Sequence, residues 1–371
     1  MAPTGPEAPG PWSEFKELPA LSERGLLQHT RNISISLPQI PLSAHDLEPY
    51  IQHLRQITNL RSLKTHWLDV PSFIPKVEKY FGTFLGTLRS LELDYPRGDH
   101  QQIVYFACQF PNLRDLKVGG LQGYFHSMRY GGPHFEIKTS PPFDGTLDLQ
   151  MSMNPGSTRS TEVFFSDLIT LPSGLKFRTL KLSRCSGNNL QPLIDACAPT
   201  LECMELTSEG FGMSFLQDGE RPLFTLVQTI SLPGAPRCPQ LNFKHHFALR
   251  ELKINLIEKS GLESGAGWLS KTLPTVTSNE FTKLTISITL VSFLLRAVDE
   301  NYARGWNAVD DVLDRLRPHE YVTLVVRPEE WMEAGKLGKM IEKYFPSMWE
   351  RKRVVLEVPP PPRGTWLGQV Y

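Results

Sequence analysis

The chain has 371 residues, 40% of them hydrophobic, which is enough for a sizeable core and too long for one ordinary small domain. Its 39 Lys and Arg balance 39 Asp and Glu, so no global field draws it to nucleic acid or to an anionic membrane. The longest nearly apolar stretch, Ile286 to Leu295, falls short of the ~18 residues a membrane span needs, and MAPTGPEAPGPW lacks the basic start and apolar run of a secretory signal, so the cytoplasm or nucleus is the expected location.

Residues 1–28 carry Pro3, Pro6, Pro9, Pro11 and Pro19 among small and charged residues, too little apolar material to offset ordering, and read as a mostly disordered tail. NISISL at 32–37 is the first short strand. Leu47, Tyr50, Ile51, Leu54 and Ile57 then recur at spacings of three and four, which predicts an amphipathic helix. LRSLKT (60–65) opens a pattern that returns as LRSLEL (88–93), LRDLKV (113–118), FRTLKL (177–182), LECMEL (201–206), LRELKI (249–254) and FTKLTI (281–286). Positions one, four and six of each copy point inward, and the last three alternate in, out, in, as a short strand with one buried face does. Weaker copies stand at GTLDL (145–149), VQTISL (227–232), YVTLVV (321–326) and RVVLEV (353–358).

Between these strands the period changes. Phe73, Val77, Tyr80, Phe81 and Phe84 predict a second helix, Ile103, Phe106, Ala107 and Phe110 a third, and Leu190, Leu193, Ile194 and Cys197 a fourth. Strand and helix alternate at intervals such as 28 and 25 residues, the mark of units that cannot bury their apolar faces alone and must stack. The expected fold is an α/β solenoid over 29–358, with a concave parallel sheet, convex helices and irregular repeats. Pro359 to Pro362 open a proline-rich carboxy-terminal tail, 359–371, read as stiff polyproline II.

At this point the residues resemble a known family. The LxxLxL strands, with helix ends such as FACQFPNL (106–113) and DACAPTLECMEL (195–206), look like leucine-rich repeats of the cysteine-containing kind found in F-box proteins. The run from LLQHTRNISI (26–35) through SFIPKVEKYFGTFLGTLRSLEL (72–93) to LPSGLKFRTLKLS (171–183) is similar to the F-box and leucine-rich-repeat proteins of mushroom-forming fungi. The resemblance covers roughly residues 26–358. It implies a horseshoe-shaped leucine-rich-repeat solenoid that selects a substrate protein, joined through an F-box to the adaptor of a cullin-RING ubiquitin ligase. Only about a dozen residues separate Leu18-Pro19 from the first strand, too few for the F-box helices, so adaptor binding is expected only if an F-box lies upstream.

The polar position between the inward residues of each strand reads Lys64, Glu92, Lys117, Asp148, Lys181, Glu205, Ser231, Lys253 and Thr285. Its sign alternates through the first six, and neighbouring strands lie ~4.8 Å apart, so a ladder of opposite charges is expected. The preferred reading is that each pair supports strand register; the other is a mixed-charge face for a partner. His66 and Asp94 flank the row, with Ser62, Ser90, Asp115, Thr179, Ser183, Cys203, Thr207, Glu251 and Asn255. No aromatic anchor is expected on that platform. The segment 122–142 collects aromatics instead, and Tyr124, Phe125, Arg129 and Tyr130 suit a contact loop, although rings covering the core end explain it at least as well.

Five cysteines, an odd and sparse set, argue for reduced thiols, with Cys108 and Cys197 on apolar helix stripes as buried structural groups. Cys185, Cys197 and Cys203 have no metal-ligand spacing, and His245-His246 reads as a turn or surface site. Neither a P-loop, a dinucleotide-binding glycine motif, a nucleophile elbow nor a zincin helix occurs. The expectation is a non-catalytic protein-binding solenoid without metal or cofactor. A stand-alone scaffold outside ubiquitin ligation is the alternative, and an enzyme with an unrecognised site ranks third.

Overall fold

The computed structural model describes residues 17–35, 42–121, 135–151, 157–185, 190–209, 240–258, 265–290, 300–316, 322–328 and 332–360. The chain divides into two compact units, Met1–Leu201 and Glu202–Tyr371. Both are α/β, and in both every strand runs parallel to the next in chain order. The expected strand at 227–232 lies outside the described residues.

In the first unit, β1 (Asn32–Ile35), β2 (Ser62–His66), β3 (Ser90–Asp94), β4 (Asp115–Leu121), β5 (Thr146–Met151) and β6 (Thr179–Ser183) form this series. The alternation read from the sequence is the alternation of burial. Leu63, Leu91, Leu93, Val118, Leu147, Leu149 and Leu180 are fully buried, and the residues between them face water. Thr65 takes an inward position too, and its buried hydroxyl finds no partner among the described residues.

The inter-strand segments fold less regularly than their periods predict. The helix expected over 47–57 is a single 3-10 turn, Glu48–Tyr50, and then α2 (Ile51–Leu54), after α1 (Glu17–Glu23). The helix expected over 73–84 breaks into α3 (Val70–Phe73), a 3-10 turn at Ile74–Lys76, and α4 (Val77–Phe81). Pro49 and Pro75 sit in these 3-10 turns, where a missing N–H interrupts an α-helical ladder. The apolar stripe survives the break: Phe73, Val77, Tyr80, Phe81 and Phe84 are all buried. Phe73 stacks on Phe81 at 5.7 Å, and Phe81 meets Phe106 of α5 (His100–Cys108) edge-on at 6.1 Å.

α5 starts where its sequence says it should. The Asp99 carboxylate accepts from Gln102 N at 2.7 Å while Gln102 Oε1 accepts from Asp99 N at 2.9 Å, a reciprocal capping box. α6 (Ser157–Ile169) and α7 (Leu190–Ala196) complete the unit. α6 has no counterpart among the expected helices. Residues 17–28 depart from the expected tail: α1 is helical, and Leu18 and Leu27 are 6% and 1% exposed, because these two leucines supply the apolar surface that the prolines upstream lack.

In the second unit, β7 (Cys203–Glu209), β8 (Glu251–Glu258), β9 (Lys283–Leu290), β10 (Val322–Pro328) and β11 (Val354–Leu356) pair in parallel. β11 is shorter than the sequence suggests, and Val355 is exposed. Four helices were not among the expected elements: α8 (Gly265–Thr272), α9 (Glu300–Arg315), α10 (Ala334–Tyr344) and α11 (Pro346–Glu350). Buried Trp306 of α9 packs on Phe345 at 5.3 Å. One turn on, buried Asp310 accepts from Ser347 N at 2.8 Å and Met348 N at 3.1 Å, so a carboxylate from α9 caps α11. No helix among the described residues is long and apolar enough to cross a membrane.

Candidate functional site

The register of the first unit's strands places Lys64 beside Glu92, Glu92 beside Lys117, Lys117 beside Asp148 and Asp148 beside Lys181. In the second unit Glu205 lies beside Lys253, and Lys253 beside Thr285. Ser231 lies outside the described residues. Within each unit the row expected from the sequence is therefore a physical row on one solvent face.

Its charges are largely spent on one another. Glu92 Oε1 accepts from Lys64 Nζ at 2.8 Å and from Lys117 Nζ at 2.8 Å, and Lys64 also reaches Asp94 Oδ2 at 3.1 Å. Burial pushes the Glu92 carboxyl up, but the two lysines outweigh it and hold it below the usual carboxylate range. Lys64 and Lys117 are each held above the ordinary range, first by the hydrogen bond to Glu92. His66 Nδ1 stands 3.7 Å from Asp94 Oδ2, outside hydrogen-bond distance. The second unit repeats the scheme: Lys253 bridges to Glu205 at 2.8 Å, Asn255 donates to Glu205 at 3.0 Å and to Thr207 at 3.1 Å, and Lys283 pairs with Glu251 at 2.6 Å. Exposed pairs of this kind contribute about 0.2–1 kcal/mol each, so they fix register more than they hold the fold.

The flanking residues divide between surface and scaffold. Ser62, Lys64 and His66 share the partly exposed face of β2, as Ser90, Glu92 and Asp94 share that of β3. Asp115 is partly exposed on the same face of β4 as Lys117, and its Oδ1 accepts from Thr146 N at 2.7 Å, which ties β4 to β5. Tyr124, Phe125, Arg129 and Tyr130 lie outside the described residues. Where the description resumes in that segment, Phe135 packs on Tyr105 of α5 at 4.6 Å, and its carbonyl accepts from Gln101.

An aromatic anchor does stand at this face, contrary to expectation. Trp67 follows β2 directly and Tyr95 follows β3, and their rings stack at 5.1 Å with an interplanar angle of 12°. His66 meets Tyr95 edge-on at 5.4 Å. Both aromatics occupy the eighth position of the strand motif counted from Leu60 and Leu88, two residues beyond the last inward position. That column was the available signal, and reading only the alternating positions passed over it.

The same column explains Gly119 and Gly120 near the end of β4. A Cβ on Gly119 would lie 2.7 Å from Asp94 Oδ1, and one on Gly120 would lie 2.9 Å from Tyr95 Cγ and closer still to its ring edge. The glycines open room for the neighbouring strand's Asp94 and Tyr95 to lean across.

Two of the described thiols are held in the neutral form. Burial pushes Cys108 and Cys197 each up to about 12, and Cys197 is fully enclosed. His246 is buried rather than on the surface, packed edge-on against Phe243 at 5.5 Å. Compared with known proteins, the sequence matches no protein family and no curated protein.

Proposed function

We propose that this protein is a non-catalytic protein-binding repeat protein, a leucine-rich-repeat solenoid similar to the substrate-recognition part of fungal F-box subunits of cullin-RING ubiquitin ligases. The single observation that carries the reading is the in-register polar row. Five consecutive strands of the first unit, β2 to β6, align Lys64, Glu92, Lys117, Asp148 and Lys181 on one solvent-facing surface. A surface built from repeated, aligned strands suits an extended macromolecular contact, and Trp67 and Tyr95 at its border add the residue types in which interface energy concentrates.

The test is affinity capture from the native cell with the wild-type chain and with a Lys64→Ala, Lys117→Ala double variant whose circular dichroism matches it. A partner captured by the wild type and lost by the variant supports the recognition face. The same partner set on both refutes it. Recovery of the cullin adaptor with that partner supports the ligase role, and recovery of the partner without the adaptor supports a scaffold outside ubiquitin ligation.

A further inference from the structure

The residue that leads into each of the first four strands repeats as well. It is Arg31 before β1, Arg61 before β2, Arg89 before β3 and Arg114 before β4. Backbone bonds set the four side by side: Arg61 N donates to Arg31 O at 2.7 Å, Arg89 N to Arg61 O at 2.8 Å and Arg114 N to Arg89 O at 2.8 Å. Arg31, Arg61 and Arg114 are exposed, and Arg89 is half-buried. Other side chains hold the loops that carry them: Asn59 donates to Gln28 O at 3.5 Å, Thr87 to Leu60 O at 2.9 Å and Asn112 to Gly86 O at 2.8 Å. The column is interrupted before β5, where Gly145 takes the position and a Cβ would lie 2.3 Å from Asp115 Oδ1; Arg178 returns to it before β6.

The fold makes little use of these four guanidinium groups. Those of Arg31 and Arg61 make no hydrogen bond or ion pair among the described residues. Arg89 donates to Asn112 O at 3.3 Å, and Arg114 Nε stands 3.5 Å from Asp144 Oδ1. In the second unit Arg250 has the same motif position, and there Glu280 takes its guanidinium at 2.9 and 2.8 Å. The segments that enter β1 to β4, residues 24–31, 55–61, 82–89 and 109–114, hold Arg24 and Arg55 besides the four and contain neither Asp nor Glu. The acids that border them are accounted for. Exposed Glu23 ends α1 just before the first segment, and exposed Glu78 of α4 stands a helical turn before the third. Asp115 accepts from Thr146 N, and Asp144 faces Arg114. In a chain of zero net charge, this is a segregated basic edge.

Charge and spacing decide what fits it. The guanidinium fork matches a planar carboxylate, two N–H groups to two oxygens. Strands ~4.8 Å apart spread four arginines over ~14 Å, and three same-side carboxylates of an extended chain, ~6.7 Å apart, span ~13 Å. A nucleic acid suits the edge less well, because strand binding also needs rings on which bases stack. Phe84 and Phe110 are buried, and of the rings in these segments only the His29 imidazole is exposed. We propose that Arg31, Arg61, Arg89 and Arg114 form a docking edge for an acidic segment of a partner protein in extended conformation, its alternate carboxylates held by the guanidinium forks. The inference rests on the protein-binding reading above and uses residues other than those of the polar row.

The experiment is isothermal titration of the full-length chain with three synthetic peptides of about ten residues, in which Ser alternates with Glu, Gln or Lys, and with a thymidine oligonucleotide of equal length. The Glu peptide is expected to bind and the other two peptides are not, with the affinity falling about fivefold between about 50 and 200 mM salt. The double variant Arg31→Gln, Arg61→Gln weakens binding about tenfold. Lys244→Gln with Lys271→Gln removes as much charge from exposed sites in the second unit and leaves binding within about twofold. Arg31→Lys with Arg61→Lys keeps the charge, loses the forks and binds about threefold more weakly. Circular dichroism confirms that each variant folds. Failure of the Glu peptide to bind, tighter binding of the oligonucleotide, undiminished binding by either arginine variant, or equal loss in the Lys244 and Lys271 variant overturns the proposal. The wider reading fails separately. A native partner lost when Lys64 and Lys117 are replaced but kept by the Arg31→Gln, Arg61→Gln variant leaves the polar row standing without this edge, and the converse leaves the edge without the row.

Discussion

Two glycines with the same backbone conformation and opposite surroundings isolate the ring contact that shapes the candidate site. Gly120 and Gly174, both in the first unit, have φ of +64° and +65°. A Cβ on Gly174 meets nothing within 4 Å, whereas one on Gly120 lies 2.9 Å from Tyr95 Cγ. Gly174→Ala therefore bears only the left-handed strain, about 1–2 kcal/mol. Gly120→Ala bears the same strain and also forces the ring off its seat, which adds about 1–3 kcal/mol of overpacking or, if the ring swings free, the loss of a stack contributing about 0.5–1.5 kcal/mol. The expected totals are about 1–2 kcal/mol for Gly174→Ala and about 1.5–5 kcal/mol for Gly120→Ala. The measurement is native-state hydrogen exchange on peptides from β3, β4 and β6, which reads the opening free energy of those strands. Tryptophan fluorescence should shift in Gly120→Ala alone. Equal losses in the two variants, or a Gly120→Ala spectrum identical to wild type, would show that the ring contact is not a determinant.

Asp310→Ala should destabilise the second unit by about 2–4 kcal/mol, since it leaves two N–H groups of α11 without the buried carboxylate that accepts them; exchange protection of 346–350 reports it, and a loss under about 1 kcal/mol contradicts the cap. His100 supplies a pH dependence. Burial lowers its pKa, with Asp99 opposing, so the folded state favours the neutral ring. A base whose folded pKa is depressed contributes stability in full above its unfolded value of about 6.5, and loses it as pH falls from there through the folded value. Urea midpoints measured from pH 7.5 to 4.5 should fall more steeply in wild type than in His100→Gln, and parallel curves refute the assignment.

Much of the candidate site was legible because its determinants are local. Lys64, Glu92, Lys117 and Asp148 each sit between two inward residues of a six-residue motif, so matching the motifs matched the strands, and the observed register follows that alignment. The helices were legible as stripes and not as elements. Phe73, Val77, Tyr80 and Phe81 all reach the core, but the backbone between them alternates α and 3-10 turns around Pro75, since burial constrains where side chains end and leaves the hydrogen-bond pattern free. The period of α9 is weak in the sequence although Trp306, Val309 and Leu313 bury a helical stripe, because its many charges dilute the apolar signal.

Sequence alone determined which residues of each strand face inward and which form the solvent row, for alternation has a period of two residues and needs no knowledge of neighbours. Tertiary structure alone decided that Trp67 lies on Tyr95 and Tyr95 against Gly120. Those contacts join residues 28 and 25 positions apart, and they depend on inter-strand register and on a left-handed turn that hydrogen bonds between strands hold in place. A strained conformation of that kind has no preferred aromatic signature, so it appears only once the strands are side by side.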